Sequence, residues 1–127
     1  MKRAQISMEF MILTITAIAI IGIVVLFVHN KQQEYSQEFQ NAAIEDFAYS
    51  LQQEFFSAST MHDGFEREIV LPDRIYNKLY SVTIINNNLY VTQDQYEMIL
   101  PLPSVNGNIP GSTFTIKVEA GQVEVVI

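Results

Sequence analysis

Residues 10–28 read FMILTITAIAIIGIVVLFV, a run of nineteen residues without a charge. A helix of about 20 apolar residues is long enough to cross the roughly 30 Å hydrocarbon core of a lipid bilayer. Two cations, Lys2 and Arg3, precede the run, and one carboxylate, Glu9, lies directly before it. Because a carboxylate is costly in lipid, its position at the edge of the run predicts a specific partner or role.

The charges around the run predict its orientation in a membrane. Lys2 and Arg3 lie before it, and only Lys31 follows it closely. Cations favour the cytoplasmic side, so we expect the N-terminus to stay inside and the rest of the chain to be exported. An ordinary signal peptide is cleaved after its apolar region at an A-x-A-like site. The only such pattern, Ala17 to Ala19, lies in the middle of the run, so this type of cleavage is poorly supported.

The composition bounds the classes of function. The chain has 127 residues, enough for one small domain beside the N-terminal segment. Seven Lys and Arg against fourteen Asp and Glu give a net charge of −7, which disfavours nucleic acid as a partner. The absence of cysteine excludes thiol catalysis, disulfides and thiolate metal sites.

A helical pattern continues beyond the apolar run. The chain contains no proline before Pro72, and Gly22 is its only glycine before Gly64. We therefore predict one helix over residues 5–59, apolar on all sides over 5–28 and amphipathic over 29–59. The expected apolar stripe of its second half consists of Tyr35, Phe39, Ala43, Phe47, Leu51 and Phe55, widened by Ile44, Ala48 and Phe56.

After Asp63-Gly64 the period of the apolar residues changes to two, which predicts strands over the rest of residues 60–127. The predicted strands are 65–71, 80–85, 89–93, 113–119 and 122–127, with 96–102 as an edge strand or loop. Asn86-Asn87-Asn88 and Ala120-Gly121 are the expected hairpin turns. Residues 106–111 are expected to form a loop. We expect four or five of these segments to form antiparallel strands.

A sheet of this size needs a partner for its apolar face, and the second half of the helix has an apolar stripe without one. We therefore predict an α+β fold: a long N-terminal helix with a small antiparallel sheet, the head, packed on its C-terminal half. The expected core residues of the sheet are Phe65, Ile69, Tyr80, Val82, Ile84, Val91, Phe114, Ile116, Val118, Val123 and Val125.

Polar residues elsewhere do not form a recognisable active site. His29 and His62 are too few for a metal cluster and fit surface or interface positions. Asp63, Glu66 and Glu68 lack the spacing of a calcium loop and fit a solvated strand face. Glu45 and Asp46 fit the polar face of the helix. No nucleophile–base arrangement or phosphate-binding loop is present, so the sequence predicts no enzyme, no cofactor and no metal.

Residues 5–13, QISMEFMIL, match the pattern Q-x-S-x-E-x-x-x-L. This motif resembles the start of archaeal type IV pilin-like proteins with a class III signal peptide. The resemblance implies that residues 1–4 are a leader, cut between Ala4 and Gln5 by a prepilin peptidase. Glu9 then becomes the fifth residue of the mature protein, the position where type IV pilins generally carry a glutamate.

The resemblance also implies a function. The chain would be a structural subunit of an extracellular type IV pilus-like filament, polymerised through its N-terminal helix, with Gln5, Glu9, Phe10 and Leu13 as assembly residues. Its partners would be copies of itself, the peptidase, the pilus assembly machinery and, before assembly, the cytoplasmic membrane. Any adhesion would be a property of the head. Loss of the leader leaves five cations against fourteen carboxylates, a net charge of −9.

Three other interpretations remain open. The first is a minor pilin or pseudopilin that primes or tips a filament. The second is an uncleaved single-pass membrane protein whose small head binds a partner. A secreted binding protein is the third interpretation, and it requires a mature chain that begins after Val28.

Overall fold

A computed structural model describes the backbone of residues 2–127 and the side chains of residues 5–127. A single helix, α1, runs from Lys2 to Ser59 without interruption, which confirms the predicted long helix. Gly22 does not break it and has open space around its α-carbon. The predicted leader falls on Met1, which lies outside the described residues, and on Lys2 to Ala4, whose side chains are not described.

The chain divides into two compact units. The first ends at Glu38 and consists of the first part of α1. The second, from Phe39 to Ile127, contains the rest of α1 and all of the strands. Each unit therefore has its own role: the first is helix alone, and the second has a hydrophobic core.

The second unit contains two β-sheets. The strands are β1 (Glu66–Val70), β2 (Ser81–Ile85), β3 (Asn88–Gln93), β4 (Tyr96–Pro101), β5 (Val105–Asn106), β6 (Thr113–Glu119) and β7 (Gln122–Val126). The larger sheet has the order β1-β6-β7-β5, and the smaller has the order β2-β3-β4. The α+β class is confirmed, but the predicted count of four or five strands, all antiparallel, is wrong.

The difference comes from β5, which has two residues and pairs in parallel with β7. The sequence around it contains Pro103, Gly107 and Pro110 and was expected to be a loop. Gly107 has a φ of +100°, and a Cβ there would lie 2.9 Å from the carbonyl oxygen of Val125 on β7. The close approach of two backbones, rather than an apolar pattern, defines this strand.

Both predicted hairpins are present. Asn86 and Asn87 have φ values of 50° and 58° between β2 and β3. Ala120 and Gly121 take φ values of 51° and 75° between β6 and β7. Two consecutive left-handed residues form the type of two-residue turn whose twist matches that of the strands. The amide of Gly121 also donates to the Asp63 carboxylate at 2.9 Å, which ties this turn to the segment after α1.

The helix contributes a buried stripe to the core, but its register differs from the prediction. The buried helical residues are Ile44, Ala48, Leu51, Phe55 and Ala58. Tyr35 and Phe39 are 58% and 65% exposed. The predicted series advanced by four residues at each step, and at about 100° per residue such a series drifts roughly 40° per step around the helix. Alternating steps of four and three, as observed, keep the stripe on one face.

The strands supply the other side of the core. Of the predicted core residues, Ile84, Val91, Phe114, Ile116, Val118 and Val123 are buried, and Phe65, Ile69, Val82 and Val125 are partly buried against them. Tyr80 is partly buried, and its ring meets that of Phe47 edge-on with centroids 5.1 Å apart. The prediction omitted Leu71, Ile75, Leu89, Leu100, Leu102 and Val105, which are also buried.

Polar contacts flank the buried stripe of α1 on both sides. On one side the Gln52 amide donates to the carbonyl oxygen of Pro101 at 2.7 Å, and the Tyr96 hydroxyl donates to the Glu45 carboxylate at 2.5 Å. On the other side Arg67 of β1 pairs with Glu54 at 3.0 Å. Glu45 was expected to be part of a solvated face. Instead it joins the helix to the smaller sheet.

The bond between Tyr96 and Glu45 gives the head a predictable response to alkaline pH. The hydrogen bond to Glu45, with burial and the negative charge of Glu45, raises the pKa of Tyr96 from 10.0 to about 12. Folding therefore favours the protonated phenol, and this stabilisation is complete below pH 10 and disappears as pH rises through 12. We expect Tyr96→Phe to lower the free energy of unfolding by about 1 kcal/mol at pH 8. That deficit should shrink towards pH 12.

Thermal unfolding followed by near-ultraviolet circular dichroism between pH 8 and 12 measures this effect. The matched control is Tyr90→Phe, at a tyrosine on β3 without a hydrogen bond from its hydroxyl in the described structure. A Tyr96→Phe deficit that stays constant across the pH range contradicts the assignment.

Candidate assembly surface on the N-terminal helix

The apolar run of α1 is fully uncovered within the chain. Between Ile6 and Val28, sixteen large apolar side chains are 49–72% exposed. By length and composition α1 is the one helix in the described chain able to cross a membrane, and its most apolar 18-residue window has a mean hydropathy of 3.0 and no buried residue. Such a surface is compatible with membrane insertion, because it requires lipid or other apolar chains around it.

Two hydroxyl groups within the run are satisfied inside the helix. Thr14 donates to the carbonyl oxygen of Phe10 at 2.9 Å, and Thr16 donates to that of Ile12 at 2.8 Å. Both bonds reach back one turn, which is how threonine is accommodated in apolar helices. These residues therefore present no unpaired polar group to the surroundings.

Glu9 lies in a shallow hollow on the helix surface. The hollow is lined by Ile6, Glu9, Phe10, Ile12 and Leu13. Three of the predicted assembly residues, Glu9, Phe10 and Leu13, are thus brought together, because spacings of three and four residues place them on one side of a helix. The structure gives Glu9 a carboxylate framed by apolar side chains and no ion pair among the described residues.

Gln5, the fourth predicted assembly residue, does not line the hollow but is exposed one turn before Glu9. The side chain of Ala4, the other predicted processing residue, lies outside the described residues. If the chain is cut between these two residues, the new α-amino group lies one turn before Glu9 on the same side of the helix. The arrangement therefore allows a pairing of this carboxylate with a terminal amine.

Ile6 and Ile12 were not predicted as part of this surface. Their positions relative to Glu9, three residues before and three after, are the signal that identifies them, since such residues are neighbours on a helix. The earlier prediction followed the motif letters and not the helical geometry.

Polar residues begin where the apolar run ends. His29 is exposed and its ring nitrogen lies 3.5 Å from the Gln33 amide nitrogen. Lys31 pairs with Glu34 at 2.6 Å. This hydrogen bond, with the negative charge of Glu34 and a smaller contribution from Glu38, raises the pKa of Lys31. The end of the run is therefore marked by charged and amide side chains, as at a membrane–water boundary.

The second unit also contains an open pocket of about 280 Å³. It is lined by Leu71, Pro72, Asp73, Tyr80, Val82, Ile109, Pro110, Gly111 and Ser112. The Tyr80 hydroxyl donates to the Pro72 carbonyl oxygen, and burial together with the Asp73 charge raises the pKa of Tyr80. Asp73 is the single carboxylate in this lining, and no histidine accompanies Ser112, so the pocket lacks a nucleophile–base pair.

His62 and the acidic residues near it do not converge. His62 is exposed at the end of α1, Asp63 accepts from Gly121, and Glu66 pairs with Lys117. Over residues 5–127 the structure contains no group of three or more histidine, aspartate or glutamate side chains able to hold a metal ion. The surface of the apolar helix is therefore the strongest candidate site in this part of the chain.

Comparisons with known proteins add no relative: no protein-family model, no curated protein and no solved structure matches the chain.

Proposed function

We propose that this chain is a structural subunit of an extracellular type IV pilus-like filament. A prepilin peptidase removes residues 1–4, and the mature chains polymerise through the first part of α1. Before assembly this helix anchors the precursor in the cytoplasmic membrane with its N-terminus inside. The head is then exported and forms the filament surface. The role is structural and not enzymatic.

The observation that carries the proposal is the uncovered apolar run that follows the Q-x-S-x-E motif. Full burial of one large apolar side chain is worth about 1.5–3 kcal/mol. Because these sixteen side chains are already partly covered within the helix, at 49–72% exposure, their burial is worth on the order of 15–30 kcal/mol in total. An apolar surface of this size is stable in lipid or in a bundle of similar helices. The filament core provides such a bundle once the helix has left the membrane.

The position of Glu9 favours the filament proposal over a plain membrane anchor. A carboxylate at the edge of a membrane helix costs energy and gives a simple anchor no benefit. In the proposed filament it pairs with the α-amino group of Gln5 from the same or a neighbouring subunit. Such a pair offsets part of the desolvation cost and selects one register between the helices.

Intact mass of the mature protein tests the proposal. We expect a chain that begins at Gln5 when the precursor is produced in membranes together with a prepilin peptidase of archaeal type. Ala17→Leu serves as a control, because it removes the A-x-A-like pattern and should leave the processing unchanged. A chain that begins at Met1 or Lys2 supports the uncleaved membrane anchor instead, and one that begins after Val28 supports a secreted protein.

A major subunit is distinguished from a minor pilin by its abundance. In filaments sheared from cells, a major subunit is the dominant component, whereas a pseudopilin that primes or tips the filament is a trace component.

A further inference from the structure

A tight turn in the head exposes a cation and two apolar side chains together. We call residues 74–79, RIYNKL, the basic turn. Backbone bonds of 3.0 Å in both directions between Ile75 and Lys78 close it. Tyr76 and Asn77 adopt φ values of 49° and 62°. The left-handed region is common for asparagine but unusual for tyrosine, so the turn holds an aromatic side chain at a sterically costly position.

A buried side chain, a hydrogen bond and an ion pair fix the basic turn to the rest of the head. Ile75 is 7% exposed, and the buried side-chain amide of Gln93 donates to its carbonyl oxygen at 2.8 Å. Lys78 pairs with Asp94 at 2.5 Å. A surface that is rigid before binding loses little conformational entropy when a partner binds.

The exposed side of the turn has the composition of a binding hot spot. Leu79 is 72% exposed, Tyr76 is 50% exposed, and Arg74 is exposed. Among the side chains described from residue 5 onward, Arg74 is the cation without a carboxylate within ion-pair distance; Lys31, Arg67, Lys78 and Lys117 each have one. Tyrosine and arginine are enriched among the residues that dominate binding energy.

A second surface of the head has the opposite charge. The outer face of the larger sheet carries Glu66, Glu68, Glu119 and Glu124 around one cation, Lys117, on paired positions of β1, β6 and β7. Lys117 contacts Glu119 at 2.5 Å and Glu66 at 3.4 Å. Glu68 and Glu124 have no cation within ion-pair distance in the described structure.

The same face also has exposed apolar residues. Val70 at the end of β1 is 70% exposed, and Val126 at the end of β7 is 40% exposed. Glu68 and Val126 both lie beside Thr115 of β6, one on each side. This face thus combines carboxylates with exposed apolar side chains, and the basic turn combines an exposed arginine with an exposed leucine.

Resting on the proposed function, we propose that the basic turn of one chain docks on the outer face of β1, β6 and β7 of a second copy. Arg74 pairs with the free carboxylates, while Tyr76 and Leu79 cover Val70 and Val126. The charges are complementary, and the chain as a whole is acidic, so the turn is a rare site of attraction between copies. Because two different surfaces meet, the contact is of the head-to-tail type, which extends into an open helical polymer when the rotation between copies does not close a ring.

Engineered cysteines test the contact directly, because the chain contains none of its own. Full-length Leu79→Cys and Val70→Cys chains with different tags are reconstituted together in neutral phosphatidylcholine vesicles at high density and treated with a mild thiol oxidant. We expect mixed disulfide dimers at roughly ten times the yield of the control pair Leu79→Cys with Ile99→Cys. Ile99 lies on the smaller sheet and is also exposed, at 52% against 70% for Val70. Equal yields for the two pairs overturn the proposal.

Charge reversal tests the ion pairs. Arg74→Glu on the first chain should reduce the mixed dimers roughly tenfold, and Glu68→Arg on the second chain should restore them. Circular dichroism of each variant verifies the fold. The pairing is contradicted if Arg74→Glu leaves the yield of mixed dimers unchanged. It is also contradicted if Arg74→Glu lowers the yield and Glu68→Arg does not restore it.

These results are separate from those that test the proposed function. If processing at Gln5 and filament formation occur but the cross-linking shows no preference, the docking proposal fails and the filament proposal stands. If the chain is never processed or polymerised, the filament proposal fails whatever the vesicle experiment shows.

Discussion

Glu9→Gln is expected to abolish filament assembly while the precursor remains in the membrane. Glu9 is the only ionisable carboxylate or cation among residues 5–28. Removal of one partner from a buried ion pair costs about 3–5 kcal/mol, because the remaining charge is left without a counterion. For a contact repeated at every subunit, this corresponds to a loss of more than about a hundredfold in the association constant.

Glu9→Gln also changes the free energy of the monomer in the membrane, from which the filament would assemble. A neutral amide is less costly in lipid than a carboxylate, so the monomer is better tolerated in the bilayer while the proposed filament would lose its ion pair. Both effects act against assembly. They also predict that the variant accumulates in the membrane fraction at the level of the wild type or above it.

The yield of sheared filaments, measured by sedimentation and by negative-stain electron microscopy, reports this outcome. Glu38→Gln is the matched control, since Glu38 is exposed on the same helix beyond the apolar run and should assemble normally. Wild-type yields from Glu9→Gln would show that this carboxylate has no role in assembly.

Phe55→Ala is expected to destabilise the head by about 3–5 kcal/mol. Phe55 is 0% exposed, and its ring stacks on that of Phe114 of β6 with centroids 6.3 Å apart and an interplanar angle of 14°. Truncation removes this stacked contact between the helix and the larger sheet and leaves a cavity that rigid strands cannot fill. A small domain with a stability of about 5–15 kcal/mol loses a large share of it.

The neighbouring residue provides the control. Phe56 is 46% exposed, so Phe56→Ala removes the same atoms with a cost below about 1 kcal/mol. Thermal unfolding and resistance of the head to limited proteolysis measure both variants. Equal destabilisation by the two substitutions would contradict the assignment of Phe55 to the buried face of α1 and of Phe56 to the exposed face.

Local chemistry made much of the fold predictable. The helix lacks proline and has a single glycine, so its continuity follows from residue propensities. The hairpins depend on Asn86-Asn87 and on Gly121, which tolerate left-handed conformations, while Ala120 beside Gly121 adopts one at a steric cost. In each case neighbouring residues decide the structure, and the sequence alone contains that information.

Features that depend on distant residues were not predictable. The parallel pairing of β5 requires β7, which follows it by more than a dozen residues and gives no signal in the sequence of β5. The bond between Glu45 and Tyr96 joins residues 51 positions apart. The division into two sheets is likewise a matter of partners, because an alternating pattern specifies which side of a strand is buried but not its neighbour.

The candidate functional residues also differ in whether local sequence is enough to predict them. Glu9, Phe10 and Leu13 follow from a motif of nine residues, and a helix is sufficient to bring them together. The sequence does not single out the basic turn, because Arg74 differs from the other cations only in lacking an ion-pair partner, and ion pairs are visible only in the structure.

The strand order of the larger sheet has a consequence for the time course of folding. β1 has one neighbour, β6, which begins 43 residues after β1 ends, close to the end of the chain. At a synthesis rate of about 5–20 residues per second, β1 waits roughly 2–9 s for its partner. During that interval the edges of β1 and the apolar stripe of α1 lack their final cover. The nascent head is thus most exposed to proteases and to mispairing just before its last two strands emerge, so a truncation within β6 or β7 should be degraded and not secreted as a shortened subunit.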